Sequence, residues 1–409
     1  MLVGTMFAVV IIGTSLYLTR SDEPGRAHTA VRTDPDTLPP GNQIPADPIE
    51  ESIAVPERLP APEGVDASGL YKNAFVLWDQ LTEEERQRIL SKPHDGVYDE
   101  AAEGLFQKIQ PIMALLHEAA GADYCDWALG DATHETRLLH LPRAQALAKL
   151  ALWNAAHRMP TDPDGAVEDL YARAQLGRDV ADTLIGFLVE TSFEQGAVNL
   201  LQRHGASLST SARDRAQELF SSADFEPEVR RAMQAETALV NHLAKLPQET
   251  LLELMRKSTN PPPAGDVAAV AQQREFESFL LDSERVQAEA KYLTQLYASL
   301  PDAMLWPRPQ FDSWWKGIQA ELPGHPLAQT FLPSVTAMRN AAERSRVQRS
   351  MVAAGLAILQ QGPAELGKYP DPYTSGAFVY SANATGFELR SALQHKGAPL
   401  RMEFAVPPQ

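Results

Sequence analysis

Between Leu139 and His204 apolar residues recur at three- and four-residue spacing in two runs, LHLPRAQALAKLALWNAAHRM and AVEDLYARAQLGRDVADTLIGFLVETSFEQGAVNLLQRH, with a proline-marked turn between them. Each run predicts helix with one wide buried stripe. Helices this apolar need cover on most of their surface, which makes an antiparallel hairpin inside an α bundle the expected setting. Pro142 falls in a first helical turn, where its missing N–H costs little, and Asp162-Pro163 opens the next helix. Gly177, Gly186 and Gly196 predict places where neighbouring helices come close.

The rest of the chain predicts more helices around this pair. Ser68–Leu81 carries Leu70, Ala74, Leu77 and Leu81 on one stripe beside Tyr71, Phe75 and Trp78. Thr82 with Glu85 forms a capping box for a second helix through Leu90. A third runs from Tyr98 to Ala120, with Leu105, Ile109, Ile112 and Leu116 inward, a kink at Pro111 and Gly121 as its stop. Ser209 or Thr210 caps a short helix, and Glu226–Leu246 forms another, in which an inward Glu236 would need Arg230 or Arg231. Asn260–Gly265 marks a loop, Asp266–Leu300 a long amphipathic helix and Pro301–Pro309 an interruption. Leu327–Gln360 forms the last long helix, with a break at Pro333. Its Arg339, Arg344, Arg346 and Arg349 are expected to meet carboxylates of the bundle rather than a phosphate. Phe311, Trp314 and Trp315 lie close enough to plug a core; exposed, they would form a docking patch. The order Ala146, Leu150, Ala151, then Ala166, Leu170, Tyr171, Ala174 resembles one tetratricopeptide-like pair, but no second copy at that period stands in the sequence.

The start of the chain is different in kind. Leu2–Leu18 is an uncharged apolar stretch of 17 residues followed by Arg20. It lies at the short end of what spans a hydrocarbon core of about 30 Å, and poor cleavage neighbours after Leu18 favour an uncleaved anchor over a signal peptide. Pro24–Glu63 then places 9 prolines in 40 residues, the composition of an extended tether. With 409 residues, 44% hydrophobic and 22% charged, the remainder is long enough for one large core or two smaller ones. The formal charge of −17, spread along the chain, argues against nucleic acid or anionic lipid as a partner. A single cysteine, Cys125, excludes an internal disulfide and a four-cysteine zinc site.

One polar patch invites a chemical reading. Asp123, Tyr124, Cys125, Asp126, Trp127, Asp131, His134, Glu135 and His140 fall within eighteen residues. His134, Glu135 and His140 are weak candidates for a metal: six residues separate the histidines, so they would not share a helix face as the ligands of a metalloprotease helix do. Turns and caps are rich in Asp and His for local reasons. No phosphate-binding glycine loop, Gly-x-Ser-x-Gly elbow, His-Glu-x-x-His or dinucleotide fingerprint is present, so neither a catalytic residue nor a cofactor is assigned.

The tail changes period. Phe378–Tyr380 and Phe387–Arg390 predict a hairpin across the turn Ser381–Gly386, and Arg401–Val406 a third strand. Tyr369-Pro370-Asp371-Pro372-Tyr373-Thr374-Ser375-Gly376 with this hairpin resembles the C-terminal Asp-Pro-aromatic-Thr-Gly segment of type II secretion major pseudopilins. It also resembles the ending of an uncharacterised bacterial family of membrane-anchored helical proteins. YKNAFVLWDQLTEEE (Tyr71–Glu85), CDWAL (Cys125–Leu129) and LLHLPRAQALAKL (Leu138–Leu150) are similar to that family too. His140-Leu141-Pro142 departs from its Pro-His-Leu order, and Ser375-Gly376-Ala377 replaces its Gly-Lys-Pro. The resemblance implies a single-pass inner-membrane protein with a periplasmic body, and no catalytic residue.

The expected fold is therefore mainly α: a transmembrane helix (1–20), a proline-rich linker (21–65), a bundle of helical hairpins (66–365) and a small C-terminal antiparallel β element (366–409). Two functions compete. The first is a non-catalytic envelope scaffold or adaptor that binds another protein, with Trp314, Trp315, Tyr373, Tyr380 and Phe387 as possible contacts. The second is an envelope hydrolase or metal-dependent enzyme built on Asp123–His140.

Overall fold

In the computed structural model the two apolar runs become three helices, and these form the wall between two hydrophobic cores. The structure describes residues 63–91, 102–127, 140–181, 183–220, 225–243, 245, 247, 249, 250, 274, 276, 278–374 and 376–406. The anchor, nearly all of the linker, residues 92–101 and His134 and Glu135 lie outside them. Among the described residues no helix is long and apolar enough to cross a membrane. Apart from Glu63, they belong to one unit spanning Gly64–Glu253 and Pro262–Gln409.

The chain runs through α1 (Ala67–Asp79), α2 (Glu83–Ser91), α3 (Glu103–Ala120), α4 (Leu141–Arg158), α5 (Pro163–Val180), α6 (Leu184–His204), α7 (Thr210–Leu219) and α8 (Phe225–Leu243). It continues with α9 (Ser283–Ala303), α10 (Arg308–Glu321), α11 (Pro326–Phe331) and α12 (Pro333–Gln361). Strands β1 (Val379–Asn383), β2 (Gly386–His395) and β3 (Ala398–Ala405) follow. The protein is mainly helical with one small sheet.

Local chemistry starts most of these helices. The Thr82 N–H donates to Glu85 Oε2 (2.8 Å) while the Glu85 N–H donates to Thr82 Oγ1 (3.3 Å), closing the capping box. Asp162 caps α5 by accepting from the Gly165 N–H, Thr183 caps α6 from Gly186, and Ser209 caps α7 from Ala212. Helix α3 runs through Pro111 to Ala120, with Ile109, Ile112 and Met113 buried on either side of the proline. Two expectations need correction. The continuous helix expected from Asp266 is broken: residues 278–280 are helical, Leu281 and Asp282 interrupt, and Asp282 accepts the Arg285 N–H to cap a fresh start at Ser283. Pro301 does not end it; buried Leu300 and Ala303 hold the last turn in register.

The first core joins α1, α3, the outer half of α4 and part of α5, around Tyr71, Ile109, Leu116, Leu147 and Leu150. The second joins the other face of α4 and α5 with α6, α7, α12 and the sheet, around Leu170, Leu200, Met351, Leu389 and Phe404. Helix α4 supplies both: Leu150, Ala151 and Trp153 to one, Leu152, Ala155 and Ala156 to the other. Burying leucine-sized side chains contributes roughly 1.5–3 kcal/mol each, so this shared wall carries much of the fold.

The sheet is antiparallel in the order β1-β2-β3. In β2, Phe387, Leu389, Ser391 and Leu393 alternate inward, and Leu400, Met402 and Phe404 do so in β3. The hairpin turn is shorter than the sequence predicts, because Ser381–Asn383 pair with Phe387 and its neighbours instead of turning. Phe404 packs onto α12 at Gly355, where a Cβ would lie 2.0 Å from the ring. Only glycine fits there.

Candidate functional site

Within the described residues the polar patch of the sequence is a latch. The Asp123 N–H and the Tyr124 N–H reach the Val65 carbonyl (3.1 and 3.4 Å), and Asp123 Oδ2 accepts the Val65 N–H at 2.8 Å. Asp66 Oδ1 accepts the Ser68 N–H (2.9 Å) and the Asp126 N–H (3.0 Å), so one carboxylate caps α1 and holds the loop. Burial alone would raise the Asp66 carboxyl, but those N–H groups outweigh it and hold it below its ordinary value. Val65 is thus tied to the body through Asp123 and Tyr124.

Trp127 completes the latch. Its Nε1–H donates to the Asp179 carbonyl (2.7 Å), and its ring stacks on Tyr71 (5.6 Å) and on His140 (4.5 Å). The Tyr71 hydroxyl donates to Asp179 Oδ2 at 2.7 Å. Burial pushes His140 down to about 4, so it is a neutral ring in a stack at ordinary pH. The Asp66 and Asp123 carboxylates face backbone N–H groups and His140 faces an indole. Among the described residues no group of three or more His, Cys, Asp or Glu is placed to hold a metal.

The sequence-named aromatics divide. Phe311 and Trp315 are buried and stacked, and Arg339 lies over the Phe311 ring at 5.1 Å. Trp314 is half-buried, edge-on to Trp306. Phe387 is buried between Tyr380 and Phe404 (5.5 and 5.1 Å), with Tyr380 half-buried. Trp315 and Phe387 therefore fill core and offer no surface, whereas Tyr373 is exposed. The Asp-Pro-Tyr-Thr segment owes its shape to Asp371, which is 1% exposed. Its Oδ2 accepts from Ser391 Oγ (2.7 Å) and the Ala392 N–H (3.0 Å), and its Oδ1 from the Tyr373 N–H (2.9 Å).

The densest buried charge lies elsewhere, where α6, α8 and α12 meet. Arg349 of α12 is 1% exposed. Its Nε donates to Glu194 Oε1 (2.6 Å) and its Nη2 to Glu190 Oε1 (3.2 Å). Its Nη1 lies 2.9 Å from Glu228 Oε2. Arg178 of α5 reaches Glu228 Oε1 at 3.6 Å while donating to the Leu219 carbonyl. Glu194 also accepts from Ser345 Oγ at 2.5 Å. Burial first, then the neighbouring Glu228 and Glu194, push the Glu190 carboxyl well above its ordinary range. Burial raises Glu228 too, against the pull of Arg349. Burial opposes the charge on Arg349, but the three glutamates hold its guanidinium protonated beyond the ordinary range.

Beside this cluster Arg173 of α5 is buried, donates to the Phe193 carbonyl, and is pushed down to about 9 by burial. With Phe193, Glu194, Leu219 and Phe220 it lines a shallow crevice. A second buried acid, Asp169, pairs with His117 Nε2 (2.9 Å) and accepts from Arg158 Nη1 (3.1 Å) and Asn154 Nδ2 (2.7 Å).

The expectation for Arg349 and Arg339 holds, since Arg339 pairs with Glu343 at 2.8 Å. The glutamates that receive Arg349 were not singled out by sequence reading. The available signal was spacing: Glu190 lies three residues after Phe187 and three before Phe193, on the apolar stripe of α6. Arg230 pairs with Asp302 rather than supplying Glu236.

Comparison with known proteins finds no matching family model, no matching curated protein and no matching solved structure.

Proposed function

We propose that this chain is a non-catalytic scaffold or adaptor of the bacterial cell envelope, held to the inner membrane by Leu2–Leu18 and reaching a protein partner with its helical body. One observation carries the reading: among the described residues the clustered polar groups are spent on the body itself. Asp66 and Asp123 hold backbone N–H groups, His140 is a desolvated ring against Trp127, and Arg349 is ringed by three glutamates of its own chain. An active site instead leaves its acids and bases facing a cleft that admits substrate. The uncharged start and the proline-rich segment support attachment and reach. The resemblance of the Tyr369–Gly376 segment to pseudopilin endings supports a periplasmic body.

Cross-linked co-purification of tagged full-length protein from native membranes tests this, with a chain lacking residues 1–62 as control. That cut spares Val65 and its bonds to Asp123. A reproducible partner, lost with the tether, is the expected result. Recovery of the full-length chain alone, or its fractionation away from membranes, overturns the proposal.

A further inference from the structure

Three acids converge on the junction of α6, α8 and α12, and of the arginines around them only Arg349 and Arg178 act on Glu190. Glu190 meets Glu194 on its own helix, Glu228 from α8, Arg349 from α12 and Arg178 from α5; α4 and β3, which also pack on α6, bring no charged group that acts on it. Arg173 of α5 acts on Glu194 rather than on Glu190. Glu190 is 2% exposed, its Oε2 makes no hydrogen bond, and the α5 backbone closes over it at Gly177, where a Cβ would lie 3.2 Å from Glu190 Cγ. An ionised Glu190 would have no water and a single contact at 3.2 Å with Arg349, whose guanidinium is already shared with Glu194 and Glu228. Leaving a buried ion uncompensated is far costlier than burying the neutral acid.

We propose that this junction is a proton-gated clasp: α8 is closed onto α6 and α12 while Glu190 carries a proton, and it loosens from them when that proton leaves. The direction follows from how the three helices are held. Helices α6 and α12 share the second core through Leu200, Leu201, Met351 and Val352. The buried residues of α8, Val229, Ala232, Met233 and Val240, belong to neither core, and α8 packs chiefly on α9. Glu228 is its charged foothold on Arg349. When Glu190 ionises, Glu190 and Glu228 compete for the same guanidinium, and the helix with the weaker apolar seat gives way. The cluster thus makes the position of α8 depend on pH, a device suited to a protein whose compartment follows the pH outside the cell.

Amide hydrogen exchange of the full-length protein, corrected for intrinsic rates and followed from mildly acidic to alkaline pH, tests the clasp. The fold gains one proton relative to the unlocked state, so opening of α8 should rise about tenfold per pH unit across the window in which Glu190 titrates. Amides of α6 and α12 should stay protected over that range. Glu190→Gln keeps the shape and the neutral character, and should remove the dependence in α8. Glu228→Gln relieves the competition for Arg349 and should move the onset to higher pH or abolish it. Far-UV circular dichroism checks that each variant is folded. The proposal is overturned if α8 shows no pH-dependent opening, if Glu190→Gln leaves that dependence intact, or if α12 opens in step with α8, since the event is then global unfolding.

Discussion

The Val65–Trp127 latch and the Glu190–Arg349 cluster are built from the same kinds of residue and behave oppositely. In the latch, carboxylates near the surface accept from backbone N–H groups, and Asp66 is held ionised. In the cluster, carboxylates withdrawn from water crowd around one guanidinium, and Glu190 is pushed towards its neutral form. Solvent decides the difference: a carboxylate that keeps its water and gains N–H donors becomes a stronger acid, whereas one that loses its water beside other acids becomes a weaker one. A dense run of Asp and His in a sequence therefore says less about chemistry than one acid on an apolar helix stripe.

The cluster should break hardest. Arg349→Met leaves three buried glutamates without their shared cation, and removing one partner of a buried ion pair costs about 3–5 kcal/mol. The midpoint of chemical denaturation at neutral pH should fall accordingly. A loss below about 1 kcal/mol, the range of exposed pairs, would mean that the cluster is as well solvated as the latch. Asp371→Ala comes next. It removes a buried acceptor from Ser391, Ala392 and Tyr373 and should cost roughly 1.5–3 kcal/mol, read by the same measurement, with loosening confined to the sheet.

How much of this was legible in advance follows the range of the interactions. Local rules placed the caps at Thr82, Asp162 and Ser209, the central hairpin and the switch to strands after Phe378, because each is decided within a few residues. What the sequence could not show was which helix meets which. Glu190 and Arg349 stand far apart in the chain, and their meeting depends on α12 returning to pack on α6. The bulk of Trp315 and Phe387 was legible, but their burial was not: a large aromatic reads alike in a core and on a docking face.

Asp66→Ala tests the latch at an intermediate size. It removes the cap of α1 and the bond to the Asp126 N–H, worth about 2 kcal/mol at the upper end for a cap. The pH dependence carries the sign. Because the folded-state value of Asp66 lies below the unfolded one, its contribution is present above the ordinary carboxylate range and lost as pH falls through the folded value. Glu190, raised in the fold, contributes below its unfolded value and loses that contribution as pH rises. In parallel denaturation series, Asp66→Ala should converge with the parent protein in acid, and Glu190→Gln should separate from it in alkali as the more stable chain. Convergence of both at the same end would dissolve the contrast.

The smallest effect is expected at His140, and it bears directly on the metal alternative. His140→Phe keeps an aromatic ring against Trp127 and should change stability by less than about 1.5 kcal/mol near neutral pH. Its direction turns with pH. The folded-state value of His140 lies near 4, below the unfolded one, so between the two the unfolded chain holds a proton that the native ring refuses. The parent protein therefore loses stability as pH falls through that window, and the phenylalanine variant does not. Relative to the parent, His140→Phe should gain ground in mild acid. Elemental analysis of both proteins after purification without chelator should give the same metal content, because a ring stacked on an indole is not acting as a ligand. A metal that co-purifies in stoichiometric amount and disappears with His140→Phe would instead join His140 to His134 and Glu135, and the latch would have to be redrawn as half of a metal site.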